Sequence, residues 1–328
     1  MYNGHVTPIR EEPISSPMTW IAETMLSNDG QVFLETRHLD ELRTTAQEIV
    51  ANPLPFERLS PDLFDMPACR QLMGQVRSQL DDGIGFAIID RMPVDEFDPE
   101  TAKKLYWLLM NMTGQIVAQT WDGVLIYDVT DTDKKIKAGN GVRSSKTNQG
   151  QSYHIDNAFN LPPDFVGLFC LQTAVEGGIS GLISFETVYN QLLAQHKDVI
   201  PRLYRPFHFD RQREHAPDGQ PTLEKPMVEY DGKTIAFNFN LRLVEQGYEV
   251  AGVEMDAEGK AALEALRKVT ELPGLGKVFD FERGQIQITN NRQLGHRRTA
   301  YTDHAEPAQR RHLVRTWVRN HGRPFYLG

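Results

Sequence analysis

The sequence predicts an α+β protein, mainly β, folded as a barrel or jelly roll with flanking helices. Three observations carry this expectation. From about residue 120 onward, short β-type runs separated by turn residues dominate: GVLIYDV, QSYHIDNAF, DFVGLFCLQTAV, GLISFETV, RPFHFDR, GQIQITN and HLVRTWVR. Apolar stripes of helical period are confined to a few well-bounded stretches. No Pro/Gly/Ser-rich linker divides the chain, so its 328 residues read as a single domain. A composition of 40% hydrophobic and 24% charged residues is that of a globular chain long enough for a large core.

Taken in order, residues 1–20 read as a loose N-terminal arm. HLDELRTTAQEIV (38–50) is helix-like. PACRQLMGQVRSQLDD (67–82) places Cys69, Leu72, Met73, Val76 and Leu80 on one helical face, with Pro67 to open the helix and Gly83 to close it. GFAIID (85–90) reads as a buried strand. DPETAKKLYWLLMNMTG (98–114) has Asp98 as cap, Pro99 in the first turn, Gly114 at the exit, and Leu105, Leu108, Leu109 and Met112 as its stripe. Two further helices are expected at about 186–197 and at 256–270. In MVEYDGKTIAF an Asp-Gly pair between two apolar runs signals a two-residue hairpin.

Composition also excludes. The net charge of −9 argues against nucleic acid as a partner. Two cysteines make no disulfide framework, and Cys170 sits in the apolar run VGLFCLQTAV, which suits a free, buried thiol in a reducing cytoplasm. MYNGHVTPIREEPISS has no apolar core of a signal peptide, and no run of 18 apolar residues occurs, so neither secretion nor membrane insertion is expected. Assembly into a homo-oligomer stays open.

The chemistry centres on histidine. The pattern H-x-D occurs four times, at His38–Asp40, His154–Asp156, His196–Asp198 and His208–Asp210. In a strand, residues i and i+2 share a face, so His154 and Asp156 can bind one metal ion. A mononuclear Fe(II) site of this type needs one more ligand, usually histidine, and keeps three positions open. FERGQIQITNNRQLGHRRTAY (281–301) offers His296, read as following a strand on a Gly-rich bend. In AQRRHLVRTWVR, Arg311 and Arg315 lie four apart in what reads as the last strand. A buried arginine there matches a dicarboxylate bidentately, as lysine cannot. His208–Asp210, also in a strand-like run, is the rival pair; His38–Asp40 reads as a surface or capping pair and His196–Asp198 as a helix end.

In these pieces the chain resembles the TauD/TfdA family of Fe(II)/2-oxoglutarate-dependent dioxygenases, with the clavaminate-synthase-like fold, over roughly residues 75–320. The pieces are YHIDNAF, AVEGGIS (174–180), DGKTIAFNFNLRLV (231–244), NNRQLGHRRTAY and RRHLVRTWV, in family order. The resemblance implies a double-stranded β-helix core, a lid-forming insertion at about 205–250, and His154, Asp156 and His296 as iron ligands. It implies that Arg311 grips the far carboxylate of 2-oxoglutarate, that Ser180 stands where relatives often have threonine, and that Arg315 is a second positive group nearby. Arg298 matches a family arginine after the distal histidine and is grouped with the substrate side. Arg297 stands where the family usually has glycine. The implied reaction consumes 2-oxoglutarate and O2 and yields succinate and CO2 while a small polar or anionic molecule is hydroxylated. Halogenating relatives replace the carboxylate ligand with a small residue, so Asp156 points to hydroxylation or a related oxidation. Arg143, Lys146 and Asn148 in GVRSSKTNQGQS (141–152), with Asn238 and Arg242 from the lid, are expected to meet substrate. Two other readings remain at this stage: a non-catalytic jelly-roll binding protein, and a zinc-dependent hydrolase on the same barrel.

Overall fold

A computed structural model describes residues 8–327 of the protein. Two sheets form its centre. The larger has seven strands, in the order Gln31–Phe33, Phe86–Asp90, Ile286–Asn290, Phe165–Gln172, His312–Arg319 and Gln115–Val117, with Ile126–Val129 also paired to His312–Arg319. The smaller has four, in the order Lys277–Phe279, Ser180–Ser184, Leu294–Arg298 and Gln151–His154. Most strands that are neighbours in these sheets are far apart in sequence, as a double-stranded β-helix requires. FVGLFCLQ (165–172) lies in the middle of the large sheet and is buried along nearly its whole length. A strand covered on both faces reads as a continuous apolar run rather than an alternating one.

Helices cover the large sheet on its outer side. Thr36–Ala51, Pro67–Asp81 and Pro99–Asn111 pack their apolar stripes, including Leu42, Met73, Leu105 and Leu109, into one core with Ile89, Phe169, Ile288 and Val314 of the sheet. Pro67–Asp81 buries the five residues that its period selects. Pro99–Asn111 begins where Asp98 accepts from the backbone N–H groups of Glu100 and Thr101, at 2.9 and 3.0 Å. A second core joins the inner faces of both sheets to Phe185–Gln195, Leu241–Ala251 and Ala257–Thr270.

Several expectations need correction. The arm is not loose over its described part: Ile14, Met18 and Trp20 are buried. Asn190 accepts from the Ile14 N–H at 2.8 Å and donates back to its carbonyl, and Glu186 accepts from Thr19 at 2.7 Å. Residues 1–7 lie outside the described residues. The Asp-Gly hairpin is real but has a longer turn. Tyr230 pairs with Ile235, leaving four residues between the strands, because the Asp231 carboxylate accepts from the N–H groups of Lys233 and Thr234 and folds the loop on itself. His38 is buried rather than on the surface, and has the expected capping role: its Nδ1 accepts from the Glu35 N–H at the start of the first long helix. Among the described residues no helix is long and apolar enough to cross a membrane, and Cys69 and Cys170 are free and buried.

Candidate metal centre

His154, Asp156 and His296 converge. One ligand atom from each lies within 4.8 Å of the others, and all three residues are buried. The route differs from the one the sequence suggests. The strand Gln151–His154 ends at His154, so Asp156 sits just beyond it. Asp156 is aimed by its backbone instead: its N–H donates to the Asn291 side chain at 2.8 Å, and the Asn291 amide donates to the Asp156 carbonyl at 3.1 Å. His296 is not on a bend. It lies inside the strand Leu294–Arg298, where its Cα partner on the neighbouring strand is His154. The two imidazole rings are thereby neighbours, 4.2 Å apart between centroids. Gly295 is needed beside them, since a Cβ there would come within 2.5 Å of the Phe185 ring.

The donor set fits a divalent ion of this chemistry. Nε2 of His154 and Nε2 of His296 both face Oδ1 of Asp156, at 3.7 and 3.6 Å. Nδ1 of His154 lies 2.9 Å from the Ser152 carbonyl, which fixes the tautomer that leaves Nε2 with its lone pair. The Gln151 amide is 2.8 Å from that Nε2. Burial, with His296 alongside, pushes His154 down to about 4, so its ring is neutral near pH 7. Burial alone would raise the Asp156 carboxyl, but Arg315 and the two histidines outweigh it and hold the group well below the usual carboxylate range. Oδ2 of Asp156 is already taken: Trp317 Nε1 donates to it at 2.7 Å and Arg315 Nη1 lies 3.1 Å away. Arg315 is itself steadied by Gln119, whose Oε1 accepts from its Nε at 2.8 Å and whose amide donates to its carbonyl at 2.8 Å.

Beside the triad lies a recess lined by His154, Ser180, His296, Arg298, Arg311 and Arg315. Both sheets contribute to it. Arg311 precedes the strand His312–Arg319 and is 3% exposed. Among the described residues, its Nη1 and the Nη2 of Arg315 are buried without partners. Guanidinium N–H groups left unpaired in a buried recess are costly unless an anion fills it, so the recess fits a dicarboxylate. Arg298 is more committed: it donates to the Thr147 carbonyl at 3.0 Å and to that of Gln149, and lies over the Tyr301 ring. Arg297, where a glycine was expected, lies over the Tyr153 ring.

A second cavity opens beside His154 and Asp156 and is lined by Arg143, Gln151, Asn157, Asn240, Arg242 and Trp317, among others. Arg143 is neutralised there by Glu214, at 2.5 Å. Arg242 donates to the Ser144 hydroxyl at 2.7 Å and the Gly150 carbonyl at 3.0 Å, both neutral acceptors. Three expected substrate residues stand elsewhere. Lys146 donates to the Asp128 carbonyl and sits over Tyr127. Asn148 is exposed, its carbonyl accepting from the Tyr301 N–H at 3.1 Å. Asn238 is buried and donates to the Pro226 carbonyl at 3.0 Å. The rival pair is occupied with structure: Asp210 accepts from Gly139 and Gln212, and His208 lies 3.7 Å from Glu224.

A β-helix of two sheets with a buried His/Asp/His cluster and an adjoining arginine recess defines a non-haem iron oxygenase of the 2-oxoglutarate type. The chain belongs to the taurine catabolism dioxygenase TauD, TfdA family, whose model matches residues 53–317. It is similar to the FR-33289 synthase of Streptomyces rubellomurinus, with 24% identity over 97% of this chain and 94% of that protein. It is similar also to the taurine hydroxylase-like protein SAT17 of Stachybotrys chartarum, 24% identical over 92% and 78% of the two chains. Among solved structures, an asparagine oxygenase in complex with Fe(II), 3-hydroxyasparagine and succinate superposes with a TM-score of 0.66 at 18% identity, covering 89% of this chain and 94% of that one. The oxygenase OrfP in complex with Fe and α-ketoglutaric acid gives 0.63 at 17%, with the same coverage. The chain is thus an Fe(II)/2-oxoglutarate-dependent dioxygenase.

Proposed function

We propose that His154, Asp156 and His296 hold the ferrous ion, that Arg311 with Ser180 grips the distal carboxylate of 2-oxoglutarate, and that the cavity beyond Asp156 takes a small polar or anionic substrate for hydroxylation. The observation that carries this reading is the meeting of three ligand atoms from two remote segments beside two guanidinium groups with free N–H bonds. The bound iron with 2-oxoglutarate and O2 supplies the oxidising power, releasing succinate and CO2 and leaving one oxygen atom on a substrate carbon. The chain's own residues do the rest. Trp317 and Arg315 occupy Oδ2 of Asp156, which leaves Oδ1 for the metal. Arg311 fixes the co-substrate's direction, and Ser152 holds the His154 tautomer.

Arg242, bonded only to neutral acceptors, favours a substrate carrying a carboxylate or another anion. The solved relatives hold hydroxylated asparagine and hydroxylated arginine, so amino acids are the first compounds to try. The segment 205–250 acts as the lid, with Gln212, Asn240, Arg242 and Leu243 lining the cavity from above. Two free buried thiols suit a cytoplasmic location. A zinc hydrolase would have no use for the Arg311 recess.

The test is anaerobic titration with Fe(II) and 2-oxoglutarate, followed by the visible charge-transfer absorption. Wild type develops the band; His154→Ala loses it; Arg311→Gln keeps metal binding but needs far more 2-oxoglutarate. A wild-type protein that binds the metal and shows no band with 2-oxoglutarate sinks the assignment.

A further inference from the structure

The C-terminal segment returns to the active site. Tyr326, two residues from the end of the chain, is 3% exposed and lines the cavity beyond Asp156. Here Arg319, itself buried at the end of the last long strand, donates to the carbonyls of Phe325 and Tyr326, at 2.9 and 3.0 Å, and to that of Leu161 at 2.9 Å. Ala118 pins the segment a second time, its N–H donating to the Pro324 carbonyl at 2.9 Å.

Held in this way, Tyr326 makes two contacts that lead to the metal centre. Its ring stacks on that of Trp317, with centroids 6.3 Å apart and planes 23° from parallel, and Trp317 donates to Asp156. Its hydroxyl donates to Asn157 Oδ1 at 2.9 Å. Asn157 follows Asp156 directly and adopts a left-handed backbone, with φ of 57°, which a non-glycine residue keeps only when its surroundings hold it. The Asn157 amide closes the loop by donating to the Leu161 carbonyl at 2.9 Å, the same carbonyl that Arg319 grips. Tyr326, Asn157, Leu161 and Arg319 thus form one closed set of bonds around one side of the cavity. The lid segment reaches the same cavity, with Gln212, Arg242 and Leu243 lining it alongside Tyr326.

We propose that Tyr326, delivered by the C-terminal segment, is the aromatic wall of the substrate cavity and sets the size of substrate admitted. This rests on the reading of the cavity given above. A planar, two-torsion side chain is a rigid boundary of low entropic cost, and a wall one side chain thick is the element whose truncation widens a pocket without touching the metal ligands.

Two arms test it. The first needs neither metal nor substrate. In a Trp121→Phe background the remaining tryptophans, Trp20, Trp107 and Trp317, are all buried. Adding Tyr326→Ala should raise acrylamide quenching of tryptophan fluorescence several-fold, while Tyr326→Phe should leave it unchanged. The second arm uses the enzyme with Fe(II) and 2-oxoglutarate, scoring succinate release with L-asparagine, L-arginine and N-acylated derivatives of each. Tyr326→Ala should shift the ratio of bulky to small substrates by about tenfold or more while keeping the charge-transfer band; one lost methylene-sized contact in a pocket is worth roughly that. Tyr326→Phe should keep the wild-type ratio. The inference is overturned if Tyr326→Ala keeps either its quenching or its substrate ratio, or if both variants lose the band and melt early, which makes the tyrosine a structural prop. Absence of the band from wild type would sink the proposed function instead, and the quenching arm would still decide whether the wall exists.

Discussion

At Asp156, one oxygen faces two imidazoles and the other carries an indole N–H and a guanidinium. Partners of this kind usually change metal affinity by about 10–100-fold when removed. Trp317→Phe should therefore weaken Fe(II) binding by about that factor in a calorimetric titration, with little change in melting temperature. The triad was legible because two short motifs carry it, and because Arg311 and Arg315 travel with them. Gln119, Asn291 and Trp317 were not. A residue that aims a ligand is chosen by tertiary neighbours, and only Trp317 left a trace, two residues from Arg315 in the same strand. Away from the site, Lys225 is pushed down to about 8 by burial, its ammonium donating to the Asn160 carbonyl at 2.9 Å. An unfolded lysine titrates near 10.4, so between about pH 8 and 10.4 the unfolded chain binds the extra proton. The stability withheld by this lysine at neutral pH is thus recovered as pH rises through that window. Lys225→Met should be more stable than wild type at pH 7 in denaturant melts, and the gap should close toward pH 10.

Among the elements, the turn at Gly177–Gly178 shapes the arginine recess. Both glycines have positive φ, 79° and 73°, and a Cβ on Gly178 would lie 2.9 Å from Arg311 Nε. Gly178→Ala should displace the guanidinium and weaken 2-oxoglutarate binding, read from the band, while Fe(II) binding alone is kept. At the start of the helix Ala257–Thr270, Asp256 accepts from Gly259 N–H at 2.7 Å and pairs with buried Arg202 at 2.9 Å. Asp256→Ala should cost at least the ~1 kcal/mol of a lost cap in urea unfolding. Arg202 holds the Asp256 carboxyl down to about 2, so the wild-type advantage is present above pH 4 and fades as pH falls toward 2. Helices were the most readable elements, since period and caps are local. The turn after Tyr230 was misjudged because Asp231 bonds forward to Lys233 and Thr234, a choice that the Asp-Gly pair alone does not reveal.

For the whole molecule, the sequence order of motifs foretold a β-helix, yet the N-terminal arm was misread as loose. Few apolar residues mark residues 8–20, but Ile14, Met18 and Trp20 are buried: Ile14 joins the core around the helix Phe185–Gln195, and Trp20 packs with Phe86, Ile88, Leu182 and Leu294. A chain beginning at Ile21 should lose several kcal/mol, since burying each such side chain is worth about 1.5–3 kcal/mol, and calorimetry should show a lower melting temperature. The pairing of His154 with His296 on one rung of a ladder sets a further condition on the molecule. A slip of one residue between those strands turns every side chain to the opposite side. Adding or deleting a single amino acid within the strand Leu294–Arg298 would therefore dismantle the centre outright, whereas loops such as that between Asp210 and Thr222 can change length and leave it intact.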